Sequence, residues 1–126
     1  MKKSIMYFIA IIVLTGCMSM HNKKLETSIN SIVKDKSNNE INVLALTDFD
    51  WDKAFLIEPY NSILETTGVD FKDPSNISMR DDIFLLIFLY EDEVTQYIEM
   101  NRYQTSFSIE NNDYLTPSED VITINR

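Results

Sequence analysis

The first periodic pattern in the chain is an apolar stripe that begins at Leu25. Leu25, Ile29, Ile32 and Val33 recur at i, i+4, i+7 and i+8, which places them on one face of an α-helix. The intervening positions are polar and include several lysines, and the pattern ends at Ser37-Asn38-Asn39. The spacing predicts an amphipathic helix that packs through its stripe on a sheet.

Most of the remaining apolar residues lie in runs that are typical of β-strands. The run Ile83–Tyr90 is apolar without a break, which indicates a central strand covered on both faces. Glu91-Asp92-Glu93 follows it, and a type I turn accommodates these residues. The other segments with strand patterns are Ile41–Leu46, Phe49–Ile57, Val94–Arg102, Tyr103–Ile109 and Val121–Asn125. If Phe49–Ile57 is extended, then Phe49, Trp51, Phe55 and Ile57 share one face.

A second, shorter helix is predicted between these strands. Ser62-Ile-Leu-Glu65 has the spacing of a capping box, and Gly68 is a suitable helix stop. Ile63 and Leu64 would then point inward. The predicted fold is an α+β domain over residues 25–126, with an antiparallel sheet of four to six strands. The N-terminal helix and the short helix are expected on one face of that sheet.

The charge balance narrows the classes of partner. The chain has 20 Asp and Glu against 11 Lys and Arg. Without residues 1–16, which contain Lys2 and Lys3, the balance becomes 9 − 20 = −11. Nucleic acid is therefore not expected as a partner, because phosphate binding needs a basic face. A basic protein partner fits this charge, and so does plain solubility.

The N-terminus has the pattern of a secretion signal. Met1-Lys-Lys-Ser is basic, Ile5–Leu14 is apolar but too short to span a bilayer, and Leu14-Thr15-Gly16-Cys17 resembles the bacterial lipobox. The resemblance implies a signal peptide over 1–16, cleavage between Gly16 and Cys17, and a diacylglyceryl group on Cys17. It also implies a lipidated tether over 17–24 and a position on the extracytoplasmic face of the cell membrane. The alternative is an uncleaved membrane anchor with an incidental cysteine.

A second resemblance begins at the only tryptophan. Trp51, Asp52, Pro59 and Tyr60 form a W-D-x6-P-Y motif. The motif and the strands that follow it resemble a group of small secreted bacterial proteins and lipoproteins of uncharacterised function. This resemblance implies a fold and no activity. The hairpin of the group usually carries a glycine, whereas here it is Glu91-Asp92-Glu93.

The same stretch contains three alternating carboxylates. Asp48, Asp50 and Asp52 match the first three ligand positions of a calcium-binding EF-hand loop. The match then fails, because Lys53 replaces the glycine of the turn and Pro59 replaces the bidentate glutamate. A solvated acidic edge is therefore favoured over a metal site.

Arg102 is the other charged residue with an unusual position. It is predicted to point the same way as the core residues of its strand, where an arginine needs an anion. Asp52 is the candidate partner in a structural ion pair. A ligand-binding arginine is the alternative.

The sequence has few of the side chains that enzymes commonly use for nucleophilic catalysis. The single histidine, His21, lies in the predicted tether, and the single cysteine is Cys17. A Ser-His-Asp or Cys-His site is therefore not expected, and paired carboxylates are the remaining possibility. We expect no enzyme activity and no cofactor. The sequence favours a non-catalytic protein-binding module, one version of which is immunity against a secreted toxin. The alternative is a structural or accessory component of a cell-envelope assembly.

Overall fold

The computed structural model describes residues 20–110 and 112–126, which form two three-stranded antiparallel sheets and three short α-helices. The first sheet has the strand order β2-β3-β4 and the second has the order β1-β6-β5. The signal peptide, Gly16 and Cys17 lie outside the described residues. In chain order the elements are α1 (Lys23–Lys34), β1 (Glu40–Asn42), α2 (Val43–Leu46), β2 (Lys53–Ile57), α3 (Ile63–Thr67), a 3₁₀ turn (Ile77–Met79), β3 (Ile83–Tyr90), β4 (Glu93–Asn101), β5 (Ser106–Ser108) and β6 (Val121–Asn125).

Strand β3 is the centre of the first sheet and has apolar residues on both faces. Every residue of β3 except Tyr90 is buried, which confirms the predicted central strand. Phe84, Leu86 and Phe88 belong to one cluster, which also contains the stripe of α1 and the buried residues of the second sheet. We call this cluster the α1-side core. The alternate residues of β3 belong to a cluster with Ile63 of α3, the α3-side core.

Helices α1 and α3 therefore cover opposite faces of the first sheet. Leu25, Ile29 and Val33 of α1 are buried in the α1-side core, as the periodicity predicts. Ile63 of α3 is buried in the α3-side core. The prediction that both helices pack on one face is wrong, because a strand that is apolar on both faces needs a cover on each.

The N-terminal end of the described chain is bound to the edge of β4. The Tyr97 N–H donates to the Met20 carbonyl at 2.9 Å, and the Asn22 N–H donates to the Tyr97 carbonyl at 3.1 Å. The His21 ring stacks on the Tyr97 ring at a centroid distance of 4.8 Å. Helix α1 already begins at Lys23, so residues 20–24 of the predicted tether are part of the fold.

Polar side chains of α1 continue this cover along β4. A Glu26 carboxylate oxygen accepts from the Glu99 N–H at 2.7 Å, and the Asn30 side-chain oxygen accepts from the Asn101 N–H at 2.9 Å. These side chains bind backbone groups of an edge strand that would otherwise be available to another chain. The helix thus closes one edge of the sheet as well as one face.

Three predicted strands are shorter in the structure, and one of them, Tyr103–Ile109, is a strand only over Ser106–Ser108. The other two are Ile41–Leu46 and Phe49–Ile57. Only Glu40–Asn42 of the first is a strand, and Val43–Leu46 turns into helix α2. In the predicted strand Phe49–Ile57, Trp51 precedes β2 and lies in the α1-side core, while Phe55 and Ile57 lie in the α3-side core. The shared face predicted for these residues is wrong, because the chain is not extended before Lys53.

Candidate functional site

Trp51 at the start of the W-D-x6-P-Y motif is a core residue. Its side chain is only 5% exposed. The indole N–H donates to the Thr47 hydroxyl at 3.0 Å, and the ring meets Phe88 edge-on at 5.4 Å between centroids. A buried indole with a satisfied N–H contributes to packing. Trp51 therefore stabilises the fold and is not exposed to a ligand.

Asp52 holds the turn between β3 and β4. Its N–H donates to the Leu89 carbonyl at 2.9 Å, and its Oδ2 accepts from the Glu91 N–H at 3.0 Å. Glu91 and Asp92 have φ angles of 51° and 68°. Two left-handed residues between paired strands form a type I′ turn, which usually contains Asn-Gly. The predicted type I turn is wrong, and the Asp52 carboxylate stabilises a turn that has no glycine.

Arg102 stabilises a second turn with left-handed residues, at the other end of β4. Tyr103 and Gln104 have φ angles of 48° and 64°, and the Thr105 N–H donates to the Arg102 carbonyl at 2.8 Å. The Arg102 side chain donates from Nε to the Thr105 carbonyl at 3.0 Å and from Nη1 to the Asp81 carbonyl at 2.9 Å. Backbone carbonyls therefore take the place of the expected anion.

The structure does not bring Asp52 and Arg102 together. Asp52 lies beside Leu89 at the end of β3, whereas the Arg102 N–H donates to the Asp82 carbonyl before β3 begins. The eight residues of β3 separate them. The two residues act at opposite ends of β4, and each secures a turn.

The acidic triplet is also divided by the fold. Asp48 and Asp50 are exposed, while Asp52 turns toward the hairpin. Among the described residues there is no group of three or more His, Cys, Asp or Glu side chains that could hold a metal ion.

The Pro59-Tyr60 half of the motif lies at the opposite end of β2, where Pro59 is half-buried and Tyr60 is exposed. The Asn61 N–H donates to the Glu58 carbonyl at 3.2 Å, which closes a turn. Tyr60 has a φ of 66°, and its N–H donates to the Ile77 carbonyl at 2.9 Å. The Tyr60 side chain is 64% exposed. The backbone therefore fixes an aromatic side chain in solvent.

Two more large apolar side chains are exposed on the segments bound to this turn. Leu64 of α3 is 52% exposed and Met79 of the 3₁₀ turn is 81% exposed. We call Tyr60, Leu64 and Met79 the Tyr60 surface. The buried neighbours Ile63 and Ile77 attach both segments to the α3-side core. The inward orientation predicted for Leu64 is wrong, whereas that of Ile63 is confirmed.

Local sequence signals explain why α3 presents Leu64 outward. The Ser62 hydroxyl accepts from the Glu65 N–H at 3.3 Å and begins the helix. Gly68, with a φ of 76°, ends it. A helix of five residues buries one position against the sheet, and here that position is Ile63.

The Tyr60 surface lies in an acidic part of the chain. Residues 58–82 contain two basic and six acidic residues, a balance of 2 − 6 = −4. Arg80 donates to both carboxylate oxygens of Asp82 at 2.6 Å. This hydrogen bonding holds the pKa of Asp82 below its usual value and raises the pKa of Arg80. One of the two cations is thus neutralised within the domain.

A separate groove of about 470 Å³ lies beside β1 and β6. Four of its described lining residues carry carboxylates and none is Lys or Arg: Glu40, Glu110, Glu119 and Asp120. Two of the carboxylates already accept hydrogen bonds, Asp120 from the Leu44 N–H at 2.8 Å and Glu119 from Asn112 at 2.6 Å. The groove adds to the acidic surface but has no large exposed aromatic side chain in its lining.

Comparison with known proteins bears on the N-terminus. Residues 1–17 match the family model of the prokaryotic membrane lipoprotein lipid attachment site. The chain is a membrane-anchored lipoprotein. The matched segment ends at Cys17, the residue that the lipobox predicts as the site of lipid attachment.

No curated protein and no solved structure matched the chain. Within residues 20–110 and 112–126, no helix has the length and apolar content needed to cross a membrane. The resemblance carried by the W-D-x6-P-Y motif stays a prediction.

Proposed function

We propose that this lipoprotein is a non-catalytic protein-binding module on the extracytoplasmic face of the cell membrane. The observation that carries the proposal is the Tyr60 surface. Aromatic residues and Met are enriched where proteins bind one another, and large exposed apolar patches mark such sites. Here they come from two segments joined by the hydrogen bond from Tyr60 to Ile77.

The backbone at Tyr60 supports the same proposal. A left-handed φ is uncommon for a residue other than glycine, and at Tyr60 it belongs to a defined turn. A fixed turn presents the ring in one place, so less conformational entropy is lost when a partner binds. Burial does not explain the conformation, because the side chain is 64% exposed.

The chemistry of the partner follows from the charge. An acidic surface increases the rate of encounter with a basic protein and makes binding sensitive to salt. A secreted basic toxin neutralised at the membrane is one specific version of this function. A structural component of a cell-envelope assembly is the alternative, and it predicts membrane-bound partners instead.

The test is affinity capture with a variant that removes the Tyr60 ring but keeps the turn. The lipidated chain, in detergent, is used as bait for culture fluid and for envelope extract, at low and at high salt. Tyr60→Asn is the test variant, because asparagine tolerates the left-handed conformation. Tyr103→Asn is the matched control, since Tyr103 is also exposed and left-handed, with a φ of 48°.

The results of this capture experiment distinguish the protein-binding function from the envelope-assembly alternative. A stoichiometric secreted protein that is lost with Tyr60→Asn and at high salt, but retained by Tyr103→Asn, supports the proposal. A set of membrane proteins captured by all three chains favours the envelope assembly. The absence of any partner in either fraction contradicts both.

A further inference from the structure

The outward side of α1 carries lysines and no carboxylate. Six exposed residues lie on the side opposite the buried stripe, and we call them the lysine face: Lys23, Lys24, Thr27, Ser28, Ser31 and Lys34. Successive residues of a helix are about 100° apart, so these six fall within an arc of about 140°. The only acidic residue of α1, Glu26, points instead to the edge of β4, where it accepts from the Glu99 N–H.

The net charge of the whole chain does not reveal that lysines are concentrated in α1. Residues 23–36 contain four lysines and two acidic residues, a balance of 4 − 2 = +2. Residues 37–126 contain five basic and eighteen acidic residues, a balance of 5 − 18 = −13. The excess of positive charge is therefore concentrated in and beside α1, and this is the segment that an anionic surface attracts.

The lysines of this face are not neutralised within the described domain. The ion pairs among the described residues involve His21, Lys53 and Arg80. Lys23 and Lys34 are eleven residues apart on the helix, which is about 16 Å at about 1.5 Å per residue. The face is thus long enough to meet several lipid headgroups at once.

The lipid anchor brings this face to the bilayer. Cys17 is three residues from Met20, and Met20 is hydrogen-bonded to Tyr97. Three residues reach at most about 11 Å, and the six residues from Cys17 to Lys23 reach at most about 21 Å. The first turn of α1 therefore stays within about 21 Å of the anchor and can enter the layer of about 8–10 Å over which the field of anionic lipids acts.

We propose that the lysine face of α1 lies on the anionic phospholipid headgroups of the membrane that holds the Cys17 anchor. Each lysine near an anionic surface favours contact by about fivefold, so three lysines favour it by about 100-fold. The acidic remainder of the domain is repelled from the same surface. The fold therefore has one preferred orientation, and the Tyr60 surface, on the other side of the first sheet, faces away from the lipid. This inference rests on the lipid attachment and is independent of any protein partner.

The test measures which side of the lipidated full chain faces the bilayer. Cys17 carries the lipid through its sulfur, so an introduced cysteine is the only free thiol. Ser31→Cys places a fluorescent label in the centre of the lysine face, and Leu64→Cys places it on the Tyr60 surface. The labelled chains are reconstituted in phosphatidylcholine vesicles with and without phosphatidylglycerol, and a quencher attached to lipid headgroups reports proximity.

We expect quenching of the label at residue 31 only when phosphatidylglycerol is present, and its loss at high salt. The triple variant Lys23→Gln, Lys24→Gln, Lys34→Gln should lower headgroup contact by about 100-fold, to the level in phosphatidylcholine. The control Lys53→Gln, Lys72→Gln, which removes lysines outside α1, should leave the quenching unchanged. Equal quenching at residue 31 in both lipids, stronger quenching at residue 64, or retention of quenching in the triple variant would overturn the proposal.

Discussion

The turn between β3 and β4 provides the sharpest test of the fold, because both of its central residues are left-handed and neither is glycine. Glu91 has a φ of 51° and Asp92 a φ of 68°. This conformation costs an L-residue about 1–2 kcal/mol, with Asn, Asp and Gly as the tolerant residues. The double variant Glu91→Asn, Asp92→Gly introduces the pair that type I′ turns prefer. We expect it to be more stable than the parent chain.

The expected gain follows from the contacts of the turn. Relief of strain contributes about 1 kcal/mol at Glu91 and less at Asp92, because aspartate tolerates the left-handed conformation better than glutamate. The added glycine makes the unfolded chain more flexible, which offsets about 0.4–1 kcal/mol. The exposed Lys53–Asp92 contact at 3.6 Å is lost, at a cost below about 1 kcal/mol. The bond to Asp52 is retained, because its donor is the backbone N–H of residue 91.

The net stabilisation is therefore at most about 1 kcal/mol, which raises Tm by up to about 4–8 °C in a domain of about 100 residues. Thermal and urea unfolding can both be followed by the fluorescence of Trp51, since it is the only tryptophan and is 5% exposed. Asp113→Gly is the matched control, because Asp113 is exposed and has no positive φ. A Tm that does not rise in the double variant, or that rises equally in the control, refutes the assignment of strain to this turn.

Three further changes test individual contacts. Asp52→Ala should destabilise the domain by about 1–2 kcal/mol, because the charge-assisted hydrogen bond to the hairpin is lost. Asp52→Asn keeps an acceptor and should cost less. If urea unfolding shows no loss of stability in either variant, the role of Asp52 in the turn is contradicted. Asn30→Ala should accelerate hydrogen exchange at the Asn101 amide, whose acceptor is removed, and unchanged protection at Asn101 would show that α1 does not close the edge of β4. Burial, with a smaller effect from nearby carboxylates, raises the pKa of Tyr97 above its ordinary value of 10.0. Its contribution to stability is therefore fully present below about pH 10 and is lost as the pH rises through the raised pKa. Tyr97→Phe should remove this alkaline loss, and parallel stability curves for the two proteins between about pH 8 and 11 would exclude it.

Long apolar patterns predicted their elements well. The stripe of α1 and the run of β3 contain enough apolar residues that burial alone determines their secondary structure and orientation. The short elements were less predictable, because a change of one residue reverses the side that a side chain faces. Val94 illustrates this effect. The register shifts between Phe88 and Leu89, and Val94 lies in the α3-side core, away from Ile98 and Met100 in the α1-side core.

The roles of Asp52 and Arg102 could not be derived from periodicity. Both residues compensate for turns without glycine, and the partners are backbone groups that periodicity does not reveal. The scarcity of glycine was the available signal, because Gly68 is the only glycine after residue 16. A chain with few glycines must fill left-handed positions with other residues and stabilise them through side chains.

The candidate site was found in part. Tyr60 was named from the sequence as part of the W-D-x6-P-Y motif, whereas its exposure and that of Leu64 and Met79 depended on the tertiary structure. The lysine face was visible in the sequence as the polar side of a helix. The structure was needed to show that this face has no carboxylate, because Glu26 belongs to the same helix. Only its contact with the Glu99 N–H shows that the Glu26 carboxylate points to the edge of β4.

The bond between the N-terminal segment and β4 also determines how the domain responds to mechanical force. A pull on the lipid anchor enters the fold at Met20, which is three residues from Cys17 and is hydrogen-bonded to Tyr97. The segment runs parallel to β4, so a pull along the strand loads both hydrogen bonds to Tyr97 together, in shear. A pull on the anchor is thus transmitted directly into the first sheet.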